Sequence, residues 1–226
     1  MNGETIYQKL MIDNTMFERI NPQVPLIPGS SLGHFDMNTQ EPSIIYRNGN
    51  FEVYYVGLEF NKDIPLDNLQ DLAGLLGVDL GKAVFDRDYN LISRTPTLLL
   101  KGINTIEVNE FNSKDCMFYT TFGDNDGVHG GEEIAYRISN DQGKTWSDET
   151  IILSKGNDYP FNNRSVLAST VFNDGKDLYM FYTASEVGDI DICYSAPQER
   201  WGVPINNESQ CNYLTLGRAV CYDCMS

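Results

Sequence analysis

Phe51-Glu-Val-Tyr-Tyr-Val-Gly57 is the first of three aromatic strand sequences in this 226-residue chain. The other two are Cys116-Met-Phe-Tyr-Thr-Thr121 and Leu178-Tyr-Met-Phe-Tyr-Thr-Ala184. When Tyr55, Tyr119 and Tyr182 are aligned, the spacings are 64 and 63 residues. Recurrence at so regular an interval indicates a chain built from repeated structural units.

Each unit has the same internal order of strands and turns. A short apolar strand comes first, a polar turn follows, and the aromatic sequence forms the second strand. A third strand and a further turn with a bulky residue complete the unit. The first strands are predicted at residues 43–46, 107–111 and 169–172, and the third strands at 82–85, 133–138 and 191–194. Four strands per repeat are typical of a β-propeller blade.

The sequence therefore predicts an all-β protein, a β-propeller of four-stranded antiparallel blades. We expect one domain over residues 1–226, with blades at about 30–100, 101–156 and 157–207 and a partial blade or tail at 208–226. A single β-sandwich is the alternative, since aromatic and β-branched runs mark any antiparallel sheet. Three repeats with one internal order favour the propeller.

The length of the chain corresponds to only about three and a half repeats, whereas propellers usually have 4 to 8 blades. Residues 11–20 are predicted to form an outer strand that completes a final blade, and residues 211–220 to open a fourth. A shortened five-bladed propeller is one interpretation. The other is closure by a second copy of the chain or by a partner subunit.

Composition restricts the partners. The net charge is −16, which argues against nucleic acid and anionic membranes. No signal peptide is visible at the start, and the compartment stays open. The five cysteines do not form an evident disulfide framework, and the Cys221-Tyr-Asp-Cys224 spacing lacks a second ligand pair for zinc.

Ser139-Asn-Asp-Gln-Gly-Lys-Thr-Trp146 resembles the Asp-box of sialidases and other propellers. In such a turn the Asp accepts backbone hydrogen bonds, the Gly adopts a conformation denied to other residues, and the Trp packs between blades. The resemblance implies a fold and not catalysis. Sialidase activity would need three arginines around a substrate carboxylate; Arg47, Arg137 and Arg164 stand in no sialidase motif.

Two stretches resemble the opening of the five-bladed glycoside hydrolases of families 43 and 32. These are Asn21-Pro-Gln-Val-Pro-Leu-Ile-Pro-Gly29 and the sequence from His34 to Tyr55, in which Glu41-Pro-Ser-Ile-Ile-Tyr46 precedes the first aromatic strand. The resemblance covers the chain from about residue 21 to 206. The resemblance implies the fold more directly than the activity. The ligand that it implies is a carbohydrate, bound in a funnel lined by the inner strands.

In those enzymes three carboxylates act on one sugar. The resemblance places the base or nucleophile at Asp36 or Glu41 and the positioning residue at Glu107. The general acid has no clear counterpart, although Glu132 or Glu186 could reach the funnel from a loop. His34, Arg164 and Glu186 are the expected substrate-binding residues.

No cofactor or metal ion is predicted, with one alternative. The acidic loop at residues 124–133 could wrap calcium, although its spacing is not that of an EF-hand. Two functions follow from the sequence. The first is a glycoside hydrolase. The second is a non-catalytic propeller that binds carbohydrate or protein as an adhesion or assembly module.

Overall fold

The computed structural model describes residues 25–31, 34–59, 77–96, 98–122, 132–156, 165–174, 177–189, 202–204 and 210–221. Every regular element in these ranges is a β-strand. The strands form three antiparallel sheets, and each contains a four-stranded path as predicted for a blade, with one additional strand in the first sheet and a non-sequential strand order in the third. The prediction of an all-β propeller fold is confirmed.

Blade 1 consists of β1 (Asn38–Arg47), β2 (Asn50–Glu59), β3 (Gly77–Phe85) and β4 (Leu91–Arg94), with β5 (Leu100–Lys101) pairing β3 beside β4. Blade 2 consists of β6 (Asn104–Phe111), β7 (Lys114–Phe122), β8 (Glu132–Ser139) and β9 (Thr150–Leu153). Blade 3 consists of β10 (Ser165–Asn173), β11 (Leu178–Asp189), β12 (Gly202–Pro204) and β13 (Gln210–Cys221), in the order β10-β11-β13-β12.

The predicted polar turns join the first two strands of blades 1 and 2. Asn48 and Gly49 have φ values of 52° and 82°, and Asn112 and Ser113 have φ values of 49° and 61°. Two successive residues with positive φ twist the hairpin in the direction that the flanking strands require. The Asn-Gly signal in the sequence therefore reports the observed hairpin correctly.

The end of blade 3 differs from the expectation. β13 pairs with β11 from Leu178↔Cys221 to Asp189↔Gln210, without a register shift. Residues 210–221 therefore supply the third strand of blade 3. The sequence had instead predicted that blade 3 ends at about residue 207 and that residues 208–226 form a partial blade or a tail. The stretch 191–194, predicted for this place, lies outside the described residues, as does the outer strand predicted at 11–20.

Blade 2 packs between the other two blades. Tyr54 and Val56 of blade 1 lie in one buried cluster with Met117 and Tyr119 of blade 2. On the opposite face of blade 2, Phe118 lies in a second cluster that contains residues of blade 3. Alternate residues of β7 thus face opposite neighbours, as the period of a strand requires.

A buried ionic network also joins blades 1 and 2. Arg47 Nη2 lies 2.6 Å from Asp115 Oδ1, and the Tyr54 hydroxyl donates to Asp115 Oδ2 over 3.2 Å. Lys82 Nζ donates to Glu52 Oε2 of its own blade over 2.8 Å and to the Gln142 carbonyl oxygen of blade 2 over 2.7 Å. Because Asp115 is buried, removal of Arg47 would leave an uncompensated charge between the blades, whereas Glu52 has both Lys82 and Arg47 as partners.

The turn at residues 139–146 closes against blade 1. Asp141 Oδ1 accepts the Lys144 and Thr145 N–H groups over 3.1 and 2.9 Å. The Thr145 hydroxyl also donates to this carboxylate, and these bonds lower the pKa of Asp141 to about 2. The Trp146 ring meets Tyr54 edge to face, with centroids 6.0 Å apart. A turn of blade 2 thereby fixes an aromatic side chain of blade 1.

Gly143 allows a test of this turn. Its φ is 75°, and a Cβ built there would overlap the Tyr54 hydroxyl. Gly143→Ala is expected to lower the free energy of unfolding by about 2 kcal/mol or more, from strain plus overlap. Gly49→Ala, with φ 82° but open space around its Cβ, should cost only about 1 kcal/mol.

Gly156→Ala is the matched control, since no atom lies within 4 Å of a Cβ built there. Urea denaturation of the three variants should rank their losses as Gly143, then Gly49, then Gly156, with the last within about 0.5 kcal/mol of the parent protein. Equal losses at Gly143 and Gly49 would contradict the close packing against Tyr54.

Candidate functional site

The first strand of each blade is interrupted at the same position. Register shifts fall between Gln40 and Ser43 in β1, between Asn104 and Glu107 in β6, and between Leu167 and Thr170 in β10. Such bulges bend a strand and redirect side chains, and they are frequent beside active sites. The repeat therefore extends to the irregularity of its innermost strand.

Glu41 lies in the bulge of β1. Its φ is 51°, and its Oε2 accepts the Thr105 backbone N–H over 2.6 Å. Thr105 occupies the matching bulge of β6, with φ 44°. A positive φ is costly for a non-glycine residue, and such strain is concentrated at functional sites. The bulge thus holds a partly exposed carboxylate between two inner strands.

Glu107 lies two residues beyond Thr105, and its carboxylate has two partners. Oε2 accepts the Val171 backbone N–H over 3.0 Å, and Oε1 accepts the Asn109 side-chain amide over 3.0 Å. Ser43 takes the equivalent place in blade 1, where its Oγ accepts the Val108 N–H over 2.8 Å. Glu107 therefore ties blade 2 to blade 3 in the way that Ser43 ties blade 1 to blade 2.

Asp36 is fully buried, at the entry to β1. Its Oδ2 accepts Arg94 Nη2 over 2.5 Å, Arg94 Nε over 3.0 Å and the Tyr55 hydroxyl over 2.9 Å. Its Oδ1 lies 2.5 Å from His34 Nδ1. The structure thus places Asp36 inside a polar cluster that anchors residues 34–36 to β2 and β4.

The pKa values in this cluster follow from its contacts. Burial acts to raise the pKa of Asp36, but hydrogen bonds from Ser30, Tyr55, Arg94 and His34 outweigh it and hold the pKa below its usual value. Burial is also the largest cause that raises the pKa of Tyr55, to about 12. At neutral pH the carboxylate is therefore ionised, and the phenol keeps the proton that it donates.

The structure describes the three predicted substrate-binding residues to different extents. His34 is partly exposed, and its second ring nitrogen, Nε2, lies 3.2 Å from the Pro96 carbonyl oxygen. Since Nδ1 faces Asp36, the ring can donate to both acceptors only in its protonated form. Arg164 lies outside the described residues. Glu186 lies in β11, where its backbone pairs with Tyr213; its side chain is outside the description.

The structure thus brings Glu41 and Glu107 onto neighbouring inner strands, whereas Asp36 precedes β1 and bonds to Arg94, Tyr55 and His34. Sequence reasoning missed Arg94 and Thr105. Arg94 ends the short outer strand β4 and belongs to neither the aromatic strand sequences nor the family motifs. Thr105 could have been found from the repeat itself, because it lies 64 residues after Glu41.

The described residues contain neither a metal cluster nor a membrane-spanning helix. No group of three or more His, Cys, Asp or Glu side chains there could hold a metal ion. Most of the proposed calcium loop at 124–133 lies outside those residues. In the same ranges, no helix has the length and apolarity needed to cross a membrane.

Comparison of the sequence with known protein families and with curated proteins gives no match. Solved structures share the fold. The chain superposes on a family 117 glycoside hydrolase of the marine bacterium Zobellia galactanivorans with a TM-score of 0.56 and 11% identity, over 88% of this chain and 57% of that one. A second structure, described as a glycoside hydrolase, gives a TM-score of 0.51 at 12% identity, over 80% and 47% of the two chains.

An α-L-arabinofuranosidase of Podospora anserina is also similar, with a TM-score of 0.49 and 15% identity over 71% of this chain and 47% of that one. The two structures with TM-scores above 0.5 show that the chain has the fold of these glycoside hydrolases, in agreement with the β-propeller that the sequence predicted. The chain spans about half the length of the solved structures that it matches.

Asp36→Asn tests the buried ion pair. Loss of the charge leaves Arg94 without its anion, and the free energy of unfolding at pH 7 should fall by about 3 kcal/mol. Because folding lowers the pKa of Asp36, the ionised pair stabilises the protein above pH ~4, and the effect disappears as the pH falls through the folded-state pKa.

Urea denaturation at several pH values would measure this difference. The gap between the parent protein and the variant should narrow towards low pH. Asp88→Asn, at an exposed site, is the control and should change stability by no more than about 0.5 kcal/mol. A gap that stays constant from pH 7 to pH 3 would contradict an ionised Asp36.

Proposed function

We propose that this protein is a carbohydrate-active enzyme, a glycoside hydrolase in which Glu41 is the base or nucleophile. The observation that carries the proposal is the position of Glu41, a carboxylate held at a strained bulge of an innermost strand in a glycoside hydrolase fold. Inner strands line the central funnel of a propeller, where a ligand would bind.

The other two predicted carboxylates support this choice by their contacts. Asp36 is buried against Arg94 and Tyr55, so reaching a sugar would require breaking an ion pair. Glu107 uses both oxygens, one of them on the backbone of blade 3. Among the described residues, Glu41 bonds through one carboxylate oxygen, which accepts the Thr105 N–H. Glu41 is therefore the carboxylate best placed to react.

A glycoside hydrolase also needs a proton donor about 5 to 10 Å from its base or nucleophile. Glu132 and Glu186 are the candidates. Glu132 pairs with Phe122 beyond the level of Thr120, which pairs with Asn104 beside the bulge. Glu186 pairs with Tyr213 near the corresponding end of blade 3. Both residues are thus in strands that lead to the end where Glu41 lies.

A non-catalytic carbohydrate-binding propeller is the second candidate. The observation that favours it is the use of Asp36 and Glu107 in holding the fold together, which leaves one predicted catalytic carboxylate for chemistry. In that case Glu41 would accept hydrogen bonds from sugar hydroxyl groups. Binding without turnover would distinguish this function from hydrolysis.

Glu41→Gln tests the enzymatic proposal on a panel of aryl arabinofuranosides, xylosides and other aryl glycosides. The amide can still accept the Thr105 N–H but cannot act as base or nucleophile, and hydrolysis should fall by about 10²-fold or more. Glu41→Gly should be equally inactive; it loses the hydrogen bond to the Thr105 N–H, but glycine readily adopts φ 51°, which offsets part of the loss in stability.

Glu110→Gln, on the exposed part of β6, is the control and should hydrolyse the same substrate at the rate of the parent protein. Retained turnover in Glu41→Gln would overturn the role of Glu41. Calorimetric binding of oligosaccharides by the parent protein, with no hydrolysis of any member of the panel, would replace the enzymatic proposal with the binding function.

A further inference from the structure

The two ends of the stack of blades differ from its middle. Both faces of blade 2 are covered, by blade 1 on one side and by blade 3 on the other. We call the face of a blade towards the preceding blade its leading face and the opposite face its trailing face. The leading face of blade 1 and the trailing face of blade 3 have no neighbouring blade among the described residues.

Equivalent residues on the leading faces show the effect of a neighbour. Ile44, Val108 and Val171 each follow the bulge and pair with Val53, Met117 and Met180, respectively. Val108 is 2% exposed and Val171 is 8% exposed, each against the blade before it, whereas Ile44 is 56% exposed. An apolar residue at the same position is buried wherever a preceding blade exists.

The trailing faces show the same contrast. Tyr54, Phe118 and Phe181 are equivalent, since they pair with Ser43, Glu107 and Thr170. Tyr54 is 0% and Phe118 8% exposed beneath the next blade, whereas Phe181 is 48% exposed. Phe172, also on this face of blade 3, is exposed as well. Blade 3 therefore ends in an aromatic surface of the type that the next blade covers elsewhere.

The polar ties between blades predict how this surface would be covered. Ser43 and Glu107 accept the N–H groups of Val108 and Val171 in the next inner strand. Thr170 holds the equivalent position in blade 3 and is exposed. Its hydroxyl could accept the N–H of the residue equivalent to Val108, which in blade 1 is Ile44. The trailing face of blade 3 thus matches the inner part of the leading face of blade 1.

The geometry points to a second copy of this chain as the partner. The trailing face of blade 3 would pack on the leading face of blade 1 in the other copy, and a two-fold axis would repeat the contact. With three described blades from each copy, the resulting ring of six lies within the usual 4 to 8. The contact continues the interface that already joins blades 1, 2 and 3.

One part of the leading face is already covered. Ile27 packs against the cluster of Val53, Tyr55, Ala83 and Phe85. Ile44 and Tyr46 of β1 stay exposed, and the exposed aromatic side chains of blade 3 also lie on its first two strands, β10 and β11. Contact between copies would therefore form at the inner strands, near the axis of the ring.

Light scattering after size exclusion, over a range of protein concentrations, tests the inference on the full chain. We expect a species of twice 25.5 kDa. Each copy carries a net charge of −16, so dissociation should increase when the salt concentration is lowered. Ile44→Lys and Phe181→Lys, one on each face, should each shift the mass towards the monomer.

A mixture of these two variants identifies the faces that meet. It can form one contact in which both faces are unaltered, whereas each variant alone has a lysine in both contacts. The mixture should therefore associate at least tenfold more tightly than either variant alone. Ile152→Lys, at an exposed apolar site on the outermost strand of blade 2, is the control and should retain the dimer mass.

Circular dichroism would establish that the variants are folded. A parent protein that stays monomeric at all concentrations would overturn the inference, as would open chains of increasing mass or a mixture that associates no more than its components. The inference rests on the propeller fold and not on the proposed hydrolysis. An inactive dimer would refute only the proposed enzyme, and an active monomer only the dimer.

Discussion

The structure depends on hydrogen bonds from the backbone of one inner strand to a side chain of the strand before it. Ser43 accepts the N–H of Val108, and Glu107 accepts the N–H of Val171. The first strand of a blade has a sheet neighbour on one side only, so alternate N–H groups need another partner. These ties provide that partner and fix the level at which adjacent blades meet. Apolar packing, which is not directional, could not set this alignment alone.

The position of Glu107 shows why a fold and a site can compete for one residue. A carboxylate on an inner strand suits sugar chemistry, but Glu107 also accepts a backbone N–H of blade 3, at the position where Ser43 of blade 1 accepts one from blade 2. Glu41 is less occupied by the scaffold. It lies in the bulge of β1, and only one of its carboxylate oxygens bonds to the Thr105 N–H. The candidate site is therefore defined by which carboxylates the scaffold leaves available.

The sequence predicted the all-β propeller fold, whereas its candidate site residues stay predictions. Tyr55, Tyr119 and Tyr182 recur because each lies in the second strand of a blade, and Asn48-Gly49 reports a hairpin through local conformational preference. The pairing of β13 with β11 was missed, because the nearer stretch 191–194 was predicted as the third strand of blade 3. The buried pair of Asp36 and Arg94 joins residues 58 positions apart, and no local rule relates them. The family resemblance named Asp36 and Glu41 as alternatives, and the proposed choice of Glu41 rests on three-dimensional contacts that the sequence does not reveal.

The ties between inner strands also affect how the chain can fold. They join residues 64 or 65 positions apart, and the Arg47–Asp115 pair joins residues 68 apart. Each of these ties closes a loop of about one repeat, and the entropy of that closure is lost before the tie contributes to stability. We therefore expect slow folding for the size of the protein, as in other structures rich in distant contacts. Each completed blade then offers an apolar surface to the next, so we expect the blades to form in their order along the chain.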